Sequence, residues 1–89
     1  MNFTFKMTST LNPRVIAVTC HEGHVLELQF SNGETGRYSV KPLLNFGVFR
    51  ELADESYFHL ARVENGTVVW PHEQDICPDT LYLDAQKTT

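Results

Sequence analysis

Two residues, Asn32-Gly33, constrain this chain more than any others. They sit between "VLELQFS" and "ETGRYSV". The first run alternates Val25, Leu26, Leu28 and Phe30 with Glu27 and Gln29, the pattern of a half-buried antiparallel strand. An Asn-Gly pair in that setting predicts a type I′ hairpin, in which both central residues take positive φ. Upstream, "RVIAVTC" is rich in β-branched residues and reads as another strand, joined through the turn "HEGH". The first forty residues are therefore expected to hold a three-stranded meander.

The period of two is lost at Lys41. Pro42 suits the first turn of a short helix, with Leu43 and Leu44 pointing inward. In "VFRELAD", Val48, Phe49, Leu52 and Ala53 fall at helical spacing and predict a short amphipathic helix. Extended structure follows around Leu60 to Glu64, then a second hairpin signal at Asn65-Gly66 and a strand "TVVW". The fold class is α+β: a small antiparallel sheet, a meander plus a C-terminal hairpin, with short helices on one face. A single domain over residues 13–85 is expected, with an arm or edge strand at 1–12 and a tail at 86–89.

The stretch "TVVWPHEQDICPDTLYLDA" concentrates the unusual residues. Pro71 lacks an amide hydrogen, so the ladder should stop at Trp70. "HEQD" should then cross the surface, with Ile76 anchored in the core and Asp75 folded onto backbone amides in an Asx-type turn. Pro78 fits the first position of a short helix, and Asp79 faces its positive end. Leu81, Tyr82 and Leu83 return apolar surface to the fold.

Three runs, "FSNGETGRYSVKPLL", "GVFRELADESYF" and "NGTVVWPHEQDICPDTLY", together resemble the bacterial family called domain of unknown function 2442. The matching positions are Phe30, Asn32, Gly33 and Glu34; Gly47, Phe49 and Leu52; and Trp70, Pro71, Asp75, Ile76, Pro78, Asp79 and Leu81. Cys77 and the His-rich turn at His21 and His24 depart from the pattern. The resemblance implies a small α+β fold built on a meander and no established activity. It also implies, by association with some members, an antitoxin-like partnership with a small basic protein.

Charge points the same way. The 89 residues carry a net charge of −4. Beyond Arg50 two basic residues face eight acidic ones: Glu51, Asp54, Glu55, Glu64, Glu73, Asp75, Asp79 and Asp84. Such a surface repels a phosphate backbone and suits a basic protein partner. Charges of this kind also simply keep a small domain soluble. The interaction residues expected from this are Glu51, Asp54, Glu55, Trp70, Asp75 and Asp79. No apolar run approaches the roughly 20 residues that span a membrane. No secretory signal is read at the start, and the two cysteines make no disulfide framework, so a cytoplasmic location is expected. The alternating "FTF" of Phe3 and Phe5 would let the arm pair along a sheet edge, on a partner or a second copy in a homodimer.

Two sharper readings compete. If a metal is held, its ligands are His72, Asp75 and Cys77, with His21, His24, Cys20 and His59 as further donors. Their spacing matches no recognised site, and hairpin-turn histidines are expected in solvent, so no cofactor is assigned. A nucleophile at Cys77 would need an electropositive setting, and its neighbours are acidic. The third reading is a subunit of a nucleic-acid-targeting complex that docks through protein contacts. The leading reading is a non-enzymatic interaction or regulatory domain, and the Trp70 corner is read as structural.

Overall fold

The computed structural model describes residues 12–88. The expected edge strand of Phe3 and Phe5 lies outside the described residues. Strands β1 (Val15–His21), β2 (Val25–Phe30) and β3 (Thr35–Ser39) form the meander. Two 3₁₀ turns follow, Lys41–Leu43 and Gly47–Ala53, then helix α1 (Glu55–Phe58). Strands β4 (Arg62–Glu64) and β5 (Thr67–Val69) pair as a hairpin, and helix α2 (Pro78–Asp84) leads into β6 (Gln86–Lys87). The fold is α+β. No helix among the described residues is long and apolar enough to cross a membrane.

The main sheet runs β1-β2-β3-β6, all antiparallel. Leu26, Leu28 and Phe30 point into the core, as the alternation requires. Residues read as a tail supply the fourth strand: Lys87 stands opposite Gly36. Gly36 explains how. A Cβ there would lie 3.1 Å from the Ala85 Cβ and 3.2 Å from the Gln86 carbonyl oxygen, so any side chain would require the incoming chain to give by a few tenths of an ångström. The hairpin joins the sheet where the Val15 amide donates to the Gly66 carbonyl at 2.9 Å.

The two Asn-Gly pairs adopt different turns. Asn65 (φ 53°) and Gly66 (φ 81°) form the two-residue type I′ turn that the sequence predicts. At Asn32-Gly33 only Gly33 is left-handed, at φ 91°. The Gly33 amide donates to the Phe30 carbonyl, and the Phe30 amide to the Glu34 carbonyl, both at 2.9 Å. That is a three-residue loop ending in a bulge, not the type I′ turn expected. Asn32 is used instead for its side chain: Oδ1 accepts the Glu34 amide at 3.0 Å and Nδ2 donates to Glu34 Oε1 at 2.8 Å.

Gly47–Ala53 also departs from expectation. It winds as a 3₁₀ turn, not as an amphipathic α-helix. With three residues per turn, Phe49 and Leu52 share one face and pack on the core. Val48 and Ala53 are left exposed. Asp54 then caps α1 by accepting the Ser56 amide at 2.9 Å. At the C-terminal end Leu81 is buried while Leu83 is 65% exposed, so only part of that run returns to the core.

The Glu34 carboxylate latches the meander to α2 by accepting the Tyr82 hydroxyl at 2.5 Å. That bond, with the one from Asn32, holds Glu34 below the usual carboxylate range. A carboxyl whose folded value is depressed contributes stability above its unfolded value and loses it as pH falls through the folded one. Acid melts of wild type and Glu34→Gln should therefore converge only once pH has fallen below the usual carboxylate range, with wild type the more stable at neutral pH.

Candidate functional site: the Trp70 corner

Trp70 is 1% exposed, and its indole N–H donates to the Phe58 carbonyl at 2.9 Å. The two rings lie 6.2 Å apart, inclined by 30°. From this anchor the chain reverses. The Glu73 amide donates to the Trp70 carbonyl and the Trp70 amide to the Gln74 carbonyl, both at 3.0 Å. This is the bond pattern of the Phe30–Glu34 turn. Pro71 occupies the position where a fixed φ is favoured, and Glu73 (φ 73°) stands where Gly33 stands in the other turn. The β4–β5 ladder ends at Val69, so it stops at Trp70 as expected, but the chain does not simply cross the surface. It folds back: Val69 bridges Asp75, and the Ile76 amide donates to the Val68 carbonyl at 3.4 Å. The Thr67 hydroxyl donates to the Ile76 carbonyl, and Ile76 is buried as expected.

Gln74 is 2% exposed and was not singled out from sequence. Its Nε2 donates to the Val48 carbonyl at 3.0 Å and to Glu51 Oε1 at 2.7 Å. Its Oε1 accepts the Tyr57 hydroxyl at 2.6 Å, and that hydroxyl accepts the His72 amide at 2.9 Å. His72 Nδ1 closes the ring, 2.7 Å from Glu51 Oε2. The network ties the 3₁₀ turn, α1 and the corner into one body. Among the described residues every buried side-chain nitrogen or oxygen has a partner.

The residues expected at the site divide into distinct groups. Glu51 and Asp54 are engaged within the fold, the one in this network and the other as a helix cap. Glu55 lies between His24 and His59, at 3.3 Å and 3.5 Å. Trp70 is core. Asp79 sits in the first turn of α2, where Oδ1 accepts Asn12 Nδ2 at 3.2 Å. Asp75 is exposed, and its backbone, expected to be held by its own side chain, is bridged to Val69.

The metal candidates do not meet. Cys77 is exposed at the N-cap of α2, and His72 is held by Glu51. Among the described residues no three His, Cys, Asp or Glu side chains gather to hold an ion. His24, expected in solvent, is tucked in, with Nε2 2.9 Å from the Leu52 carbonyl oxygen. Cys20 donates to the Phe58 carbonyl at 3.5 Å, and burial pushes its thiol up.

Beside the corner lies a groove of about 410 Å³ lined by Arg62, Glu64, Val69, Trp70, Pro71, Glu73 and Asp75. Arg62 and Glu64 alternate along β4, and Val69 stands opposite Arg62, so one face of the small hairpin forms the floor. Three carboxylates and one guanidinium line it, the latter 3.6 Å from Glu64.

A family model described as "Protein of unknown function (DUF2442)" matches residues 15–87, from the first residue of β1 to the last of β6. The chain belongs to the DUF2442 family. The resemblance read from the sequence thus holds across the whole fold just described. No curated protein and no solved structure matches the chain. For this DUF2442 domain the corner therefore has to be understood from its own geometry.

Two substitutions test that geometry. Trp70→Ala should cost about 3–5 kcal/mol, as expected for a buried aromatic, measured by denaturant unfolding. Tyr57→Phe removes only one oxygen but strands the buried Gln74 Oε1, and should cost about 1–3 kcal/mol in the same assay.

Proposed function

We propose that this DUF2442 protein is a non-enzymatic interaction or regulatory domain that takes a basic protein partner in the groove beside Trp70. The observation that carries this reading is the trio Glu64, Glu73 and Asp75, opening on a groove whose backbone is pinned by a buried tryptophan. Carboxylates on a pre-ordered frame attract Lys- and Arg-rich segments and speed their encounter. Glu73 adds support. A glutamate in the left-handed region costs about 1–2 kcal/mol that glycine would not, and outliers of this kind gather at functional surfaces.

The histidines and Cys20 favour binding over catalysis, because each already serves the fold. His21 is paired with Glu27 at 2.7 Å, His59 Nδ1 with the Glu55 carbonyl at 2.9 Å, His24 with Leu52 and His72 with Glu51. Cys20 and Cys77 are free thiols, which fits work in a reducing compartment such as the cytoplasm. An antitoxin-like neutraliser of a small basic protein is the specific form this reading takes. The acidic groove repels phosphate, so the isolated chain should not bind DNA.

The test is affinity capture from the host with the tagged wild type and with Glu73→Lys/Asp75→Lys. One stoichiometric, basic partner is expected with the wild type. Charge reversal should weaken it by about tenfold or more in a titration with the purified pair. A partner retained at full affinity, or one that is acidic, would remove the groove from the interface.

A further inference from the structure

We infer that Asn65 is a site of spontaneous covalent modification, at which the side-chain amide cyclises onto the Gly66 backbone nitrogen and the asparagine becomes aspartate and isoaspartate. The only co-reactant is solvent water. The Gly66 nitrogen, having given up its proton, attacks Asn65 Cγ. A bond forms between them, the Cγ–Nδ2 bond breaks, and Nδ2 leaves as ammonia after taking a proton from solvent. Water then opens the resulting succinimide at either carbonyl. Cleavage between Cγ and the Gly66 nitrogen gives aspartate on an ordinary main chain. Cleavage at the main-chain carbonyl gives isoaspartate, with Cβ drawn into the main chain.

An Asn-Gly pair has the makings of this reaction, because glycine places no Cβ over the attacking nitrogen. The chain has two such pairs, and the fold treats them in opposite ways. The Asn32 amide is held at both of its polar atoms: Oδ1 accepts the Glu34 amide at 3.0 Å, and Nδ2 donates to Glu34 Oε1 at 2.8 Å. The Gly33 nitrogen is engaged too, with its proton in the bond to the Phe30 carbonyl. Glu34 is itself fixed by the Tyr82 hydroxyl. Before Asn32 Cγ can swing onto the Gly33 nitrogen, both side-chain bonds must break.

At Asn65 none of these restraints is present among the described residues. The side chain is exposed and its amide has no hydrogen-bond partner there, and the Gly66 nitrogen donates to no carbonyl. The Arg14 side chain runs against Gly66, with Nε 2.9 Å from where a Cβ would stand. A guanidinium in that place favours the amide anion that makes the attack. The product acts on a joint of the fold. Isoaspartate lengthens the main chain inside the two-residue turn, and so displaces the Gly66 carbonyl from the Val15 amide that joins the hairpin to the sheet. It also sets a new carboxylate at the end of the hairpin that floors the groove. The consequence for partner binding rests on the groove reading above; the chemistry does not.

Peptide mapping by mass spectrometry, after incubation of the full chain at mildly alkaline pH, reads both sites in one sample. In the native protein Asn65 should convert about tenfold or more faster than Asn32, the factor imposed by first breaking the Asn32 bonds. In denaturant the two sites should convert at similar rates, which assigns the difference to the fold and not to flanking residues. Aspartate and isoaspartate peptides, separated by chromatography, should both appear at position 65. A native Asn65 that stays intact, or converts no faster than Asn32, would overturn the proposal. So would a preference for Asn65 that persists undiminished in denaturant.

Discussion

The Phe58 carbonyl is the point on which the rest of this small fold turns. It ends α1, and three donors converge on it: the Trp70 indole N–H at 2.9 Å, the Ala61 amide at 3.3 Å and the Cys20 thiol at 3.5 Å. These come from the corner, from the chain leaving α1 and from the meander. A buried carbonyl without donors costs free energy comparable to a lost hydrogen bond, so the three elements are held in register by one atom's need. The indole matters most because it also fills the core. Its position sets where the chain reverses, and the reversal sends Gln74 inward and Glu73 and Asp75 outward.

The same turn is built twice, from different residues. Phe30–Glu34 closes around Gly33, which takes its left-handed φ without strain. Trp70–Gln74 closes around Glu73 with the same bonds, at a conformational cost that the first turn avoids. What offsets that cost is the network beneath it. Gln74, Tyr57, His72 and Glu51 form a closed circuit of donors and acceptors around a nearly buried amide. A fully satisfied circuit rigidifies its surroundings, and this one shares the Trp70–Asp75 segment with the acidic groove. Stability and the proposed interaction surface are thus two faces of one segment.

Much of the frame was legible in the sequence because it depends on local rules. Alternation in Val25–Phe30, the Asn65-Gly66 turn, the burial of Ile76 and the helix opening at Pro78 each follow from neighbours in the chain. What escaped depends on partners distant in sequence. Gln74 looks like a surface residue between two acids, and only Val48, Glu51 and Tyr57 make it a core residue. His24 reads as a solvent-facing turn residue until the Leu52 carbonyl and the Phe58 ring close over it. The Gly47–Ala53 segment has apolar residues that fit periods of three and of 3.6, and packing on the core selected the tighter winding. The acid cluster was assigned by composition alone. Glu51 and Asp54 bond within the fold, and Glu64 and Glu73 line the groove.

The central claim is that the Trp70 corner is locked into the core and presents its acids from a rigid base. Hydrogen exchange of the Trp70 indole N–H, followed by NMR in the native protein, tests this most directly. If the account holds, that proton exchanges only when the whole domain unfolds, at the rate of the most protected amides of β2. Exchange orders of magnitude faster than those amides would show the corner opening on its own, and the rigid base would have to be abandoned.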